Sequence, residues 1–160
     1  MVTKPTLGMR HAVLWVSDPQ RSAEFYQRAL GLVVKAEWDG AVFMSSPASA
    51  TDHDLGLFRT AQPAGGPRAV GLYHIAWEVA TLEELADAKI RLSEMGALVG
   101  ENNHGVSRSL YCQDPDGIEF EIMWEVPEEL LVENEPSNIA LDLDADMARF
   151  GTDTGGRGAN

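Results

Sequence analysis

The sequence has little cysteine, no long apolar run and no apolar leader. Cys112 is the only cysteine of the 160 residues, which excludes an intrachain disulfide and a metal site built from several thiolates. No apolar run approaches the roughly 18 to 20 residues that a membrane-spanning helix needs. Residues 1–10 have no apolar core of the signal-peptide kind, so we expect a cytoplasmic protein.

Basic residues are also scarce relative to acidic ones. The chain has 12 Lys and Arg against 25 Asp and Glu, which gives a formal net charge of −13. The imbalance is uneven, because residues 126–160 carry eight acidic and two basic side chains. Such a surface repels nucleic acids and anionic membranes. We therefore expect no nucleic-acid or membrane partner, and a small-molecule substrate or a protein partner instead.

What the sequence does contain is a weak internal repeat with an offset of 63 residues. Strand-like runs at residues 11–16 and 74–79 both open on a histidine and are followed by helix-like stretches. These stretches end at Gly31 and Gly96, 20 and 22 residues after the respective histidine, where a left-handed helix C-cap is expected. A repeat of this kind predicts two related structural units.

Helices and strands can be assigned within each copy. Asp18 and the following Pro19 are typical of a helix start, and Thr81 with Glu84 forms a capping-box pattern for the second helix. Further strands are expected near residues 33–38, 41–45, 54–59, 98–100, 108–113 and 118–125. The pattern therefore predicts an α+β protein with two tandem βαβββ modules.

The predicted domain spans residues 1–126, with modules at about 7–60 and 70–126. Beyond it the periodicity fades, and residues 127–160 are predicted to form an acidic C-terminal extension with a short helix around 138–150. We expect the end of this extension to be mobile, because the last ten residues are rich in glycine.

Three side chains that can bind a metal fall on strand faces that do not face a helix. His11 and His74 lie opposite the apolar faces of the two opening strands, and in residues 118–125 the alternation separates Glu121 from the apolar side chains. Two imidazoles and one carboxylate are the ligand set that holds Fe(II) and leaves positions open. A single histidine on a strand is usually structural, so the equivalent positions in the repeat carry this hypothesis.

These residues resemble the vicinal-oxygen-chelate superfamily, and over residues 7–126 they are most similar to its type I extradiol ring-cleaving dioxygenases. The resemblance implies two modules that form a cup-shaped mixed sheet around one metal ion. It assigns His11, His74 and Glu121 as ligands, with Glu121 four residues after Gly117 of an Asp-Pro-Asp-Gly turn. Glu119 is the near competitor, but it falls at the wrong offset.

Three further residues match the dioxygenase branch. His53, in the segment Asp-His-Asp-Leu, resembles its acid–base histidine, and His104, in His-Gly-Val-Ser, resembles a histidine that lies close to the substrate. Tyr111, ten residues before Glu121, matches an active-site tyrosine. The resemblance implies that His53 transfers a proton and that His104 and Tyr111 hydrogen-bond substrate oxygens. Their plainer interpretations are a loop histidine, ordinary turn composition and a half-buried strand residue.

The resemblance implies a one-domain extradiol dioxygenase that uses non-haem Fe(II), with Mn(II) as a substitute, to cleave a catechol-type ring with O₂. A homodimer is expected by analogy with the superfamily. One alternative is an isomerase or transferase like glyoxalase I or a fosfomycin-resistance enzyme. Glyoxalase I would place a fourth ligand, a Glu, near residues 54–58, where none occurs. The other alternative is a drug-binding protein of the same fold without chemistry.

Overall fold

The fold is that of a computed structural model, and the structure describes residues 8–62 and 70–158. The chain divides into two units, Met1–Ala64 and Gly65–Asn160. Each unit contains one βαβββ module with a four-stranded mixed sheet, which confirms the predicted α+β class and the two tandem modules. The cup that the two sheets would form around a metal stays a prediction. Residues 1–7, used for the expected cytoplasmic location, and residues 159–160 of the predicted mobile end lie outside the described residues.

Unit 1 contains the first module. Its elements are β1 (Ala12–Val16), α1 (Pro19–Leu30), β2 (Val33–Trp38), β3 (Ala41–Ser45) and β4 (Leu55–Arg59). The strand order is β1-β4-β3-β2, with β1 parallel to β4 and the other pairs antiparallel. The helix supplies the crossover that a parallel pair requires. Because β1 and β4 run in the same direction, the residues just before them lie at the same end of the sheet, where both strands begin.

Unit 2 repeats this topology and continues into the extension. Its elements are β5 (Ile75–Glu78), α2 (Leu82–Glu94), β6 (Leu98–Asn103), β7 (Ser107–Gln113), β8 (Glu119–Glu125) and α3 (Leu143–Phe150), with a 3₁₀ turn at Glu128–Leu130. The strand order is β5-β8-β7-β6, and β5 is parallel to β8. The element order and strand pairing of the first module therefore recur in the second.

The first two helices begin and end where the sequence predicts. The Asp18 carboxylate accepts hydrogen bonds from two backbone N–H groups in the first turn of α1. At the start of α2, the Thr81 hydroxyl accepts from Glu84 N at 3.2 Å. Gly31 and Gly96 have φ values of +69° and +67°, the left-handed conformation expected after a helix end.

Each sheet buries one face against the helix of its own module. The buried side chains of unit 1 come from alternate strand positions and from α1: Leu14, Val16, Val42, Met44, Leu55, Leu57, Ala23, Tyr26 and Ala29. The corresponding set in unit 2 is Leu110, Cys112, Phe120, Ile122, Trp124, Leu82, Leu85, Ala88 and Leu92. Full burial of one large apolar side chain contributes about 1.5–3 kcal/mol. Because these faces supply the cores, the opposite faces of the two sheets can carry functional groups.

The C-terminal extension is fixed to unit 2 by a buried ion pair. Arg108 on β7 is fully buried, and its Nε and Nη2 donate to the two carboxylate oxygens of Asp146 on α3, at 2.8 and 2.7 Å. The Phe150 ring also lies beside Trp124, with ring centroids 5.6 Å apart. Removal of one partner from a buried pair typically costs about 3–5 kcal/mol, because the other charge stays buried.

The chain after α3 also has backbone contacts with unit 2. Gly156 N donates to Ala80 O at 2.8 Å, Arg157 N donates to Glu125 O at 3.1 Å, and Gly158 N donates to the Glu78 carboxylate at 2.9 Å. These hydrogen bonds join residues 156–158 to β5, to β8 and to Ala80 just after β5, and the mobility of the last residues stays a prediction. None of the helices in the described part of the chain is long and apolar enough to cross a bilayer.

Candidate metal and catalytic site

In unit 1 the parallel pairing of β1 and β4 brings two of the predicted site residues together. His11 directly precedes β1 and His53 lies two residues before β4, and their rings stack with centroids 4.4 Å apart and planes at 29°. The Phe43 ring meets His53 edge-on at 4.9 Å. The predicted ligand His11 and the predicted acid–base residue His53 are therefore direct neighbours.

The loop that carries His53 is organised by Asp54, a residue to which the sequence analysis gave no role. The Asp54 carboxylate accepts four hydrogen bonds from this loop and from the end of β3. The donors are Ser45 Oγ at 2.9 Å, Ser46 N at 2.8 Å, Ser49 Oγ at 2.7 Å and Thr51 Oγ1 at 2.6 Å. Burial opposes ionisation, but these hydrogen bonds outweigh it and hold the pKa of Asp54 below its usual value. The ionised carboxylate thereby fixes the loop next to His53.

Outside this network, His53 has a second carboxylate neighbour. Its Nδ1 lies 2.9 Å from Asp52 Oδ2, and the Asp52 side chain is fully exposed. An exposed pair of this kind adds little to stability. Its effect is on the ring itself, since a bond at Nδ1 leaves Nε2 as the nitrogen that would exchange protons.

In unit 2 the predicted ligands His74 and Glu121 form a direct pair. His74 precedes β5, while Glu121 lies on β8 opposite Ala76, so the parallel pairing brings the two side chains to one face. His74 Nε2 is 3.0 Å from Glu121 Oε2, and the Glu121 side chain is largely buried. The competitor Glu119 is farther away, with Oε1 at 3.9 Å from His74 Nδ1. Glu121 is thus the nearer carboxylate to His74, and its role as the ligand stays a prediction.

The donor set of unit 2 fits a divalent metal ion. Its two donor atoms, His74 Nε2 and Glu121 Oε2, lie 3.0 Å apart, and His74 Nδ1 is buried without a hydrogen-bond partner in the structure. Metal-binding histidines commonly use their second nitrogen to contact a carboxylate, and Glu119 stands on that side. Among the described residues, no three His, Cys, Asp or Glu side chains are grouped so that they could hold a metal ion. The three-ligand set of His11, His74 and Glu121 stays a prediction.

The last two predicted site residues, His104 and Tyr111, are joined by a short hydrogen bond. His104 follows β6 and Tyr111 lies on β7, and the distance from His104 Nε2 to the Tyr111 hydroxyl is 2.7 Å. Tyr111 pairs across the strands with Glu121, so the phenol lies on the ligand face. Burial first, and then the nearby Glu121 charge, raise the pKa of Tyr111 above its usual value. The hydroxyl therefore stays protonated near neutral pH, and the tautomer of His104 decides whether it donates to Nε2 or accepts from it.

A second residue without a role in the sequence analysis, Asn138, belongs to the extension. Its Oδ1 lies 3.1 Å from His104 Nδ1, on the opposite side of the ring from Tyr111. No local pattern predicts this contact, because 34 residues separate the two side chains. For the Asp54 network the sequence does contain a weak indication. Asp54 ends a stretch rich in Ser and Thr, whose hydroxyl groups can donate hydrogen bonds to a carboxylate.

This geometry defines a class of protein: a two-module α+β fold with histidines at the openings of both modules. The structure of lactoylglutathione lyase from Agrobacterium tumefaciens has the same fold, with a TM-score of 0.59 and 23% identity over 75% of this chain and 95% of that chain. A family model described as Glyoxalase/Bleomycin resistance protein/Dioxygenase superfamily matches residues 8–122. The chain belongs to this superfamily, which confirms the resemblance inferred from its motifs.

Curated relatives come from more than one branch of the superfamily. Catechol-2,3-dioxygenase of Bacillus subtilis (strain 168) is 30% identical over 117 residues, which cover 73% of this chain and 41% of the relative. Glutathione transferase FosA of Serratia marcescens is 29% identical over 118 residues, which cover 72% of this chain and 79% of the relative. The chain thus spans less than half the length of the ring-cleaving relative. The comparisons thus show superfamily membership and relatedness to dioxygenases. The reaction of this chain is a proposal.

Proposed function

We propose that the protein is an extradiol dioxygenase that opens the ring of a catechol-type aromatic with O₂. The observation that carries this proposal is the set of acid–base side chains beside the predicted ligands. Tyr111 and His104 are hydrogen-bonded on the ligand face of unit 2, and His53 is stacked on His11 in unit 1. Metal binding alone does not require these three groups, whereas ring cleavage needs protons to be taken up and returned. The similarity to Catechol-2,3-dioxygenase supports the same reading.

In this proposal His11, His74 and Glu121 hold non-haem Fe(II), with Mn(II) as a substitute. Two neutral imidazoles and one carboxylate would occupy one face of the ion and leave the other face open. When bound, the ion would supply a Lewis-acidic, redox-active centre that activates the catechol and O₂. The buried position of Glu121 excludes water from the carboxylate, which strengthens its interaction with a cation.

The roles of the remaining residues follow from their hydrogen bonds. Tyr111 and His104 would contact the substrate oxygens, because the phenol lies on the same face as Glu121 and is linked to the imidazole. His53 would take a proton at Nε2 and return it to an oxygen atom later in the reaction. An imidazole suits this step since its unperturbed pKa, about 6.5, is close to the working pH.

A glutathione transferase of the FosA kind is the second candidate. The observation in its favour is that the aligned segment covers 79% of FosA but only 41% of the dioxygenase. Lactoylglutathione lyase, with the same fold, keeps isomerase chemistry among the alternatives. The hydrogen-bonded His104 and Tyr111 pair and the His53 loop favour ring cleavage over these candidates, because they supply proton transfer beyond the metal ligands.

The wider biological setting is part of the same proposal. We expect the substrates to be a small catecholic molecule and O₂, with no nucleic-acid or membrane partner. A cytoplasmic location and a homodimer remain the expectations drawn from the sequence and from the superfamily. The net charge of −13 agrees with an uncharged or cationic small molecule rather than a polyanion.

The experiment is anaerobic reconstitution of the full chain with Fe(II), followed by exposure to O₂ with a panel of catechols. We expect uptake of one O₂ per catechol consumed and the yellow absorbance of a ring-opened product. A parallel assay with Mn(II), glutathione and fosfomycin follows the loss of free thiol. Tight metal binding without O₂ uptake from any diol would overturn the proposal, and thiol loss would favour the transferase. Metal-free protein that binds a drug without turnover would indicate the binding-protein alternative.

A further inference from the structure

The C-terminal extension meets the candidate site at Asn138. Asn138 Oδ1 is 3.1 Å from His104 Nδ1, and the other ring nitrogen, Nε2, is 2.7 Å from the Tyr111 hydroxyl. Asn138, His104 and Tyr111 thus form a continuous chain of hydrogen bonds. The superfamily match ends at residue 122, so Asn138 lies outside the segment that this chain shares with the family model.

The backbone around this contact holds both partners in place. Asn103 and Ile139 form a β-bridge with two hydrogen bonds, Asn103 N to Ile139 O at 3.0 Å and Ile139 N to Asn103 O at 3.2 Å. These two residues directly precede His104 and follow Asn138. Asn138 itself has a φ of +58°, a conformation that asparagine adopts more readily than most side chains. The backbone is therefore fixed on both sides of the exposed hydrogen bond between Asn138 and His104.

The buried ion pair described above also reinforces the contact. Arg108 Nη1 donates to Gly105 O at 2.9 Å, directly after His104, while the same guanidinium binds Asp146 on α3. The turn that carries His104 and the extension that carries Asn138 are thus fixed to one buried side chain. The contact between Asn138 and His104 is therefore supported from below by a buried ion pair.

The donor and acceptor roles in this chain follow from elementary chemistry. A carbonyl oxygen such as Asn138 Oδ1 carries no hydrogen, so His104 Nδ1 must carry the proton of that bond. In a neutral imidazole Nε2 is then an acceptor, and the Tyr111 O–H donates to it. We propose that Asn138 is a positioning residue that holds His104 in the Nδ1–H tautomer, with Nε2 facing the Tyr111 hydroxyl.

The consequence for catalysis rests on the proposed function. In ring cleavage, His104 and Tyr111 would contact the substrate oxygens, and the tautomer decides which atom can accept a proton there. Asn138 would thus tune the active site through His104 without touching the substrate. Its loss should lower kcat more than it changes KM, by roughly fivefold to tenfold, the effect of losing one neutral hydrogen bond.

The variants that test this role follow from the backbone conformation. Asn138→Gly removes the acceptor, and glycine adopts a positive φ without strain. Asn138→Asp keeps an acceptor oxygen and also tolerates this conformation. Asn134→Gly is the matched control, because Asn134 has a φ of +60° in the same extension. His104→Gln identifies the His104 signals among those of the four histidines.

The measurement is long-range ¹H–¹⁵N correlation NMR of the full chain without added metal, at a pH of about 8, where an unperturbed imidazole is neutral. We expect the Nδ1–H tautomer at His104 in the wild type, in Asn138→Asp and in Asn134→Gly. Asn138→Gly should shift His104 toward the Nε2–H tautomer. An Nε2–H tautomer in the wild type, or an unchanged tautomer in Asn138→Gly, would overturn the proposal. The spectra need no turnover, so failure of this inference and failure of the proposed ring cleavage are distinguishable.

Discussion

The two modules share their topology but differ at equivalent positions of the strand register. Val13 and Ala76 each lie two residues after the opening histidine of their module. Val13 pairs with Gly56 on β4, whereas Ala76 pairs with Glu121 on β8. Gly56 therefore occupies in unit 1 the position that the carboxylate occupies in unit 2. Both modules thus have an opening histidine, His11 or His74, but only unit 2 has a carboxylate, Glu121, at this position of the strand register.

A second pair of equivalent positions differs in the same way. Phe43 on β3 pairs with Gly56, and Tyr111 on β7 pairs with Glu121, so phenylalanine in unit 1 corresponds to tyrosine in unit 2. Phe43 contacts His53 and Phe58 edge-on, which gives the open face of unit 1 an aromatic character. The same face of unit 2 carries His74, Glu121 and Tyr111, whose side chains can exchange protons or serve as metal ligands.

The two copies of the module thus carry different chemical groups at equivalent positions, so each copy can serve a different part of one reaction. A flat aromatic diol needs an apolar surface for its ring and polar groups for its oxygens. In our account unit 1 contributes the ring surface, His11 and the acid–base residue His53. Unit 2 contributes His74, Glu121 and the hydroxyl of Tyr111.

The largest effect is expected when Glu121, which corresponds to Gly56 in unit 1, is replaced. Glu121→Gln removes a charged ligand, so we expect Fe(II) affinity to fall by more than about 100-fold and activity to disappear. Glu119→Gln is the matched control, two residues away on the same strand face, and should weaken Fe(II) binding by about tenfold at most. Anaerobic Fe(II) titration measures both variants. Equal losses in the two variants would contradict the ligand assignment.

His53→Gln should separate turnover from metal binding. The substitution keeps a polar side chain but removes the group that exchanges protons, so kcat should fall by about 10²–10⁴-fold. Fe(II) affinity should change little, because His53 is not a predicted ligand. Asp52→Asn serves as the control, since its amide oxygen can still accept a hydrogen bond from Nδ1 and kcat should fall far less than in His53→Gln. Full activity of His53→Gln would refute the acid–base role.

Tyr111→Phe makes unit 2 match unit 1 at the position of Phe43. The variant loses the hydroxyl that donates to His104 Nε2, and we expect kcat to fall by roughly tenfold with little change in Fe(II) affinity. Steady-state kinetics at saturating O₂ provide the measurement. A wild-type kcat would show that the phenol is only a packing residue on the sheet.

The Asp54 network should make the stability of the chain depend on acid pH. The pKa of Asp54 is lowered by folding, so its ionised form stabilises the fold above the unfolded pKa of about 3.9. This contribution is lost as the pH falls through the lower folded pKa. The Tm of the wild type should exceed that of Asp54→Asn at pH 6, and the difference should shrink below about pH 4. A constant difference from pH 6 to 3 would exclude this origin.

The smallest effect concerns Cys112, which faces the core of unit 2. Burial, followed by the negative charge of Glu119, raises the pKa of Cys112 to about 12, so almost no thiolate exists near neutral pH. We expect a thiol reagent to leave the native chain unmodified and to label one thiol per chain in denaturant. Rapid labelling of the native protein would show that this part of the sheet opens readily.

The sequence predicts most of the fold because its signals are local. The bounds of β2 and β3, residues 33–38 and 41–45, agree with the prediction, since the turn at Asp39 and Gly40 separates two short runs that contain valine and aromatic residues. β6 extends to Asn103 rather than ending near residue 100. Its polar end, Glu-Asn-Asn, looks like a loop by composition, but pairing with β7 and the bridge to Ile139 give it strand partners. Tertiary pairing thus outweighs β-propensity there.

The candidate site was only partly predictable for a related reason. His74 and Glu121 are found from the repeat and the turn before β8, and the structure brings them within 3.0 Å. The Arg108–Asp146 pair and the Asn138–His104 contact join residues 38 and 34 positions apart. No local pattern encodes such contacts, because they depend on where the extension returns to the sheet.

The most direct test of the account is anaerobic Fe(II) titration of the wild type and of His11→Ala. The central claim is that one iron ion takes ligands from both modules. The account predicts one tightly bound Fe(II) per chain in the wild type and loss of tight binding in His11→Ala, as in His74→Ala. Unchanged stoichiometry and affinity in His11→Ala would contradict it, because unit 2 would then hold the metal without the first module.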